Sequence, residues 1–180
     1  KVGDLKPTFY WVALEASDSL PRANALLDVN GALIAKVGDK FFSAIRMEGT
    51  GRLLDGRVVN FHARVGKEVR WRVCPPSAPY GYGLENFVLK PFRSVAVDPS
   101  VVPIPSRVYI PAAKGALLPD GSVHDGFFEA VHHAQRHDEI EILGGPICLG
   151  RLVQRLVGES GKNPMAHLVG VDGEPGFGEA

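Results

Sequence analysis

The sequence predicts a mainly β protein rich in turns, and three observations carry that prediction. Apolar runs meet at Asn30-Gly31, Asp55-Gly56 and Asp120-Gly121, residue pairs favoured in tight hairpin turns because they tolerate positive φ. Glycine and proline are frequent, 21 and 14 of 180 residues, beside 45% hydrophobic residues, a balance that suits short strands better than a helical bundle. Helical periodicity, in contrast, is confined to two stretches.

In chain order, "TFYWVALEA" (8–16) is aromatic and β-branched enough for a strand, and "SDSLPRANALL" breaks it with Ser, Asp and Pro. "LLDVNGALIAKV" (26–37) reads as a hairpin around Asn30-Gly31. "DKFFSAIRMEG" (39–49) suits a short helix or a strand equally. "GRLLDGRVVNFHARV" is a second hairpin, and the Pro- and Gly-rich "CPPSAPYGYGLEN" (74–86) is an irregular surface loop rather than a linker. "RSVAVD" and "RVYIP" are strands around a Pro-punctuated turn, followed by a turn at Asp120-Gly121.

The two helical stretches come next. In "GFFEAVHHAQRHD" (126–138), Phe127, Ala130, Val131 and Ala134 form one stripe, and "CLGRLVQRLVGES" (148–160) carries a fuller one. Between them "EIEIL" (139–143) alternates strictly, with Ile140 and Ile142 on one face and Glu139 and Glu141 on a half-exposed polar face. "AHLVGVD" is a final strand before a tail over 173–180.

Length allows one domain with a proper core, or a domain with a sizeable insertion. Twenty basic and twenty acidic side chains give zero formal net charge, so no global field draws the chain to nucleic acid or an anionic membrane. No run of eighteen apolar residues is present, so no transmembrane segment is expected. The opening residues lack the apolar core of a signal peptide, which leaves a cytoplasmic protein or one whose leader has been removed. Cys74 and Cys148 fit either one disulfide or two reduced core residues.

"RSVAVDPSVVP", "SRVYIP", "LPDGSVHDGFFEA" and "IEIL" together resemble the three-aspartate (3D) domain of bacterial peptidoglycan lytic transglycosylases. Similarity extends upstream through "MEGTGRLLDGRVVNF" and "YGYGLENFVLKPFR", so that it covers roughly residues 8–145. The resemblance implies a six-stranded double-psi β-barrel spanning 8–172, with a smaller lobe inserted at about 26–88, one or two short helices, and a tail over 1–7. It also implies a periplasmic or cell-envelope location and peptidoglycan glycan strands as partner, with no cofactor.

Position by position, Asp98 matches the acid that ends the family's "AVD" strand, and Glu141 matches the acid within "I-D-I-F" that is regarded as the acid/base. His132 stands where the family has its second acid, the family's Gly-Gly-Ala-Ile-Lys-Gly run is absent, and the interval to Glu141 is shorter. The implied chemistry cleaves the bond between N-acetylmuramic acid and N-acetylglucosamine without water. One carboxyl protonates the leaving oxygen and then takes the proton of the sugar's own C6 hydroxyl, which requires burial or a neighbouring acid to bring its pKa toward neutrality. Glu141 is assigned that shuttle and Asp98 the field around it. Glu48, Thr50, Tyr80, Tyr82 and His132 are expected to contact substrate.

Each residue has a plainer reading. Asp98 before Pro99 suits an Asp-Pro turn binding its own backbone, and Glu141 suits a solvated strand face. Loss of the second acid also fits a sugar-binding or accessory protein without turnover. His133 and His137, four apart, with His124, Asp125 and Asp138 nearby, offer a weak zinc pattern without HExxH. No G-x-S-x-G or phosphate-loop motif occurs.

Overall fold

The structure, a computed structural model, describes residues 3–17, 21–134, 139–144 and 166–170, with the side chains of 3–5 and 166–170 excepted. The chain divides into two compact units, one made of Lys1–Tyr10 with Gly83–Ala180 and the other of Trp11–Tyr82.

The first unit contains strands β1 (Gly3–Tyr10), β8 (Ser94–Val97), β9 (Ser106–Tyr109), β10 (Phe127–His133), β11 (Glu139–Leu143) and β12 (Ala166–Gly170). They pair in the closed order β1-β11-β8-β10-β9-β12. The β1–β11 and β8–β10 pairs are parallel, and the remaining four are antiparallel. Side chains alternate across a strand, so the core is filled by every second residue: Val95 and Val97 from β8, Ile140 and Ile142 from β11, Phe128 and Ala130 from β10, with Val108, Ile110 and Phe9. Closure leaves no strand edge unpaired within the ring.

The second unit lies, in sequence, between β1 and β8. It has a four-stranded sheet, in the order β2 (Ala13–Leu14), β5 (Thr50–Arg52), β6 (Val58–Val65) and β7 (Glu68–Cys74), a hairpin of β3 (Asn24–Leu27) and β4 (Leu33–Val37), and helix α1 (Asp39–Glu48). Phe41 and Ile45 of α1, four apart and therefore on one face, pack with Leu26, Val37, Val59 and the fully buried Trp71. That stripe settles 39–49 as helix. Gly49 ends it in the left-handed region at φ 77, its N–H donating to the Ile45 carbonyl.

The hairpin signals hold. Asn30-Gly31 lies in the β3–β4 turn, where Asp28 Oδ1 accepts the N–H groups of Asn30 and Ala32, both at 2.8 Å. Asp55-Gly56 joins β5 to β6, and Asp120-Gly121 turns between the bridged Leu117 and Val123. "RSVAVD" and "RVYIP" are the strands β8 and β9, and "AHLVGVD" supplies β12.

Several expectations are corrected. The stretch 126–138, expected as helix, holds strand β10, because alternate residues Phe128 and Ala130 enter the core and a register shift between Ala130 and His132 buries Val131 as well. The stripe at 148–160 lies outside the described residues. The expected tail 1–7 contains most of β1, since Lys6 and Pro7 continue the ladder with Glu139 and Ile140. "TFYWVALEA" is two strands that serve different units, and the unit boundary near Tyr82 falls inside the loop read as a surface excursion. Strand β11 is buried on both faces rather than half-exposed: Glu139 is 8% exposed and pairs with Lys6 Nζ at 3.6 Å. Cys74 is a buried free thiol whose burial raises its pKa; Cys148 lies outside the described residues.

Candidate active site

The barrel pairings put one row of residues on the face turned away from its core. Ala96 lies between Val95 and Val97, both of which point inward, so its own side chain points outward. Its register partners are Glu141 on β11 and His132 on β10, and the partner of Glu141 on its other side is Thr8 of β1. The row therefore reads Thr8–Glu141–Ala96–His132 across four neighbouring strands. A methyl group at Ala96 leaves the two longer flanking side chains room above it. Glu141 is half-buried between the fully buried Ile140 and Ile142.

Tyr10 joins this face, two residues along β1 from Thr8. Its ring stacks on that of His132, with centroids 5.7 Å apart. Burial first, and the negative charge of Glu141 second, push the pKa of its phenol far upward, so it is a proton donor at all physiological pH. Among the described residues, neither the Tyr10 hydroxyl nor Thr8 Oγ1 has a hydrogen-bond partner, although both are buried. Burial also lowers the pKa of His132, the dominant cause, outweighing the contact of Nδ1 with the His133 carbonyl oxygen at 3.2 Å. A neutral ring with Nδ1 donating to that oxygen leaves Nε2 as an acceptor.

Asp98 follows the last residue of β8 and is 6% exposed. Its Oδ1 accepts the Ser100 N–H at 2.7 Å, and its carbonyl oxygen accepts the N–H groups of Val101 and Val102. The Asp-Pro turn anticipated as its plainer reading is thus present and engages one carboxylate oxygen. Asp98 stands two residues beyond Ala96, the partner of Glu141, and one beyond the end of β8. Asp98, His132 and Glu141, separated by 43 residues or fewer in sequence, are accordingly gathered on the first unit with Tyr10 and Thr8.

Glu48, Thr50, Tyr80 and Tyr82 belong to the second unit. Glu48 Oε2 accepts the Trp11 N–H at 3.2 Å. Thr50 is buried, and its hydroxyl accepts Asn60 Nδ2 at 2.8 Å. Tyr82 lies under the Arg72 guanidinium, 4.1 Å from the ring centroid, and its N–H donates to Asn60 Oδ1 at 3.3 Å. Gly81, at φ 86, has no room for a side chain, since a Cβ would lie 2.7 Å from Thr50 Oγ1 and 2.9 Å from Asn60 Nδ2. Tyr80 is half-buried. This network orders the 80–82 segment against β5 and β6. Asn60 and Arg72, which hold it together, had no distinguishing sequence signal; Tyr10 and Thr8 were visible only as alternate residues of a strand.

Among the described residues no group of three His, Cys, Asp or Glu side chains could hold a metal ion. His124 has both ring nitrogens in use: Nδ1 accepts the Gly126 N–H at 2.8 Å and Nε2 donates to the Phe92 carbonyl at 2.7 Å. His133 is exposed on β10, and His137 and Asp138 lie outside the described residues. No helix among the described residues is long and apolar enough to cross a membrane.

The fold is shared with lytic transglycosylases of the MltA type, as the sequence resemblance implied. E. coli MltA with bound chitohexaose matches with a TM-score of 0.53 at 14% identity, over 79% of this chain and 65% of that one. The membrane-bound lytic murein transglycosylase from Agrobacterium tumefaciens matches with a TM-score of 0.55 at 11% identity, over 78% and 67%. The chain thus spans about two thirds of the length of each. No family model matches the sequence, and no curated protein does.

Proposed function

We propose that this protein acts on peptidoglycan glycan strands in the cell envelope as a lytic transglycosylase, with Glu141 as acid and base on the outer face of a double-psi β-barrel. The observation that carries the reading is the placement of Glu141 at the middle of a partly buried polar row, beside an always-protonated phenol and a neutral imidazole. The shared fold supports it.

The chemistry needs one carboxyl acting twice. Protonated Glu141 gives its proton to the glycosidic oxygen as the bond from C1 of N-acetylmuramic acid breaks, releasing the N-acetylglucosamine end as an alcohol. The resulting carboxylate takes the proton of the C6 hydroxyl while that oxygen bonds to C1. The anhydro ring closes, and Glu141 is protonated again. Neutral His132 supplies an acceptor in place of a second carboxylate, so no like charge there opposes the anionic stage of Glu141. Asp98, held by its turn, contributes negative potential that favours positive charge developing at C1.

Incubation of the folded protein with purified sacculi, followed by mass spectrometry, is expected to release 1,6-anhydro muropeptides. Co-sedimentation with sacculi without any such product, across pH 4.5 to 8, would favour a sugar-binding protein on the same barrel and refute the enzymatic reading.

A further inference from the structure

We propose that the hydroxyls of Thr8 and Tyr10 are positioning groups for Glu141, donating hydrogen bonds to its carboxylate in the half of the cycle when it has lost its proton. The proposal rests on the assignment of Glu141 as acid/base, and it arises from a juxtaposition that assignment does not use. Parallel pairing sets Thr8 opposite Glu141, and strand alternation returns Tyr10 to the same face.

Both hydroxyl oxygens are buried and, among the described residues, without a partner. Buried hydroxyls are normally hydrogen-bonded, because leaving one unmet forfeits its hydration without return. Among the described residues only five have such a buried, unmatched side-chain atom, and two of them flank this one carboxyl. The third group fixing the arrangement is His132, whose ring stacks on Tyr10 and limits its swing.

A donor pair beside a proton shuttle has a defined consequence. While Glu141 holds its proton, only a neutral carbonyl oxygen is available to the two hydroxyls, a weaker acceptor than a carboxylate. Once the proton passes to the leaving oxygen, the new carboxylate is an acceptor on their face, and charge-assisted hydrogen bonds to it are the stronger kind. Release of those bonds accompanies recovery of the proton from C6. Among the described residues, the other titratable or charged groups on this part of the barrel are Asp98 just beyond β8, His132 on β10, and the Lys6–Glu139 ion pair on β1 and β11. None of them is a hydroxyl donor.

The test is NMR titration of the whole chain with 13C-labelled glutamate side chains, the Glu141 signal being assigned with Glu141→Gln. In Tyr10→Phe and in the near-isosteric Thr8→Val, the Glu141 midpoint is expected to move to higher pH, by about tenfold in proton affinity for each lost donor. Thr8→Ser is expected to restore it. With sacculi, the limb of the pH–rate profile that reports the base moves the same way while KM stays near wild type. Folded variants whose Glu141 midpoint is unmoved overturn the proposal, whatever their activity. Absence of anhydro products from the wild type would remove the transglycosylase reading instead, and the titration would still decide the role of the two hydroxyls.

Discussion

Replacing Gly83 by alanine tests how closely β10 is held where it enters the site. A Cβ at position 83 would lie 2.1 Å from the Val131 carbonyl oxygen, 3.0 Å from its carbon and 3.3 Å from Leu89 Cδ2. An ordinary carbon–oxygen approach is about 3.3 Å or more, so the overlap is about 1.2 Å. The obstacle is backbone and cannot rotate away. Val131 sits at the register shift between Ala130 and His132, where β10 passes from β8 pairing through Val95 to pairing through Ala96. Relief therefore demands a shift of β10 or of the 83–87 segment, at about 3 kcal/mol, the upper end of the usual overpacking range. Gly121→Ala is the control in the same unit: its φ of 83 is unfavourable, but nothing lies within 4 Å of the added methyl, so about 1 kcal/mol is expected. Urea denaturation followed by far-UV circular dichroism measures both. Because Val131 precedes His132, Gly83→Ala is also expected to reduce anhydro-product formation in the fraction that remains folded. A loss of stability no greater than that of Gly121→Ala would refute the close approach and the bulge argument with it.

Two further outcomes follow from buried polar groups. His124 and His132 are held below the ordinary histidine value of 6.5, chiefly by burial, so on acidification the unfolded chain takes up protons that the folded chain refuses. The contribution of these two histidines is therefore level above about pH 6.5 and falls below it, by up to about 1.4 kcal/mol per pH unit for each histidine, until the folded-state values are reached; His132→Gln should reduce that slope in thermal melts. Asn60→Ala removes the donor that meets Thr50 Oγ1 at 2.8 Å and the Gly49 carbonyl at 3.1 Å, and the acceptor for the Tyr82 N–H, and is expected to cost about 1–3 kcal/mol and to increase amide exchange at Tyr82.

The parts of the fold that were legible in the sequence are those with local causes. Asn-Gly and Asp-Gly turns declare themselves because the required backbone conformation is available to few residues, and "RSVAVD" and "RVYIP" read as strands because their residue types suit nothing else so well. The stretch 126–138 misled for a physical reason. An extra residue at Val131 changes which side of the strand is buried, so Ala130, Val131 and Ala134 of the expected stripe are all buried, and these three imitate the spacing of a helix; Phe127 is only half-buried, and the core position is taken by Phe128. The assignments of Asp98 and Glu141 rest on resemblance, not periodicity. Thr8 and Tyr10 could not be connected to Glu141, since a parallel pair between residues 133 positions apart leaves no trace along the chain. Thr50, expected to contact sugar, is buried and accepts a hydrogen bond from Asn60 Nδ2, a pairing across two strands that the sequence does not announce.

The most direct examination of the account is Glu141→Gln, which keeps the size of the side chain and removes its ability to exchange a proton. Production of 1,6-anhydro muropeptides from sacculi is expected to disappear while co-sedimentation with sacculi stays near the wild-type level. A glutamine variant that releases anhydro products at the wild-type rate would place the proton shuttle elsewhere and contradict the assignment of Glu141.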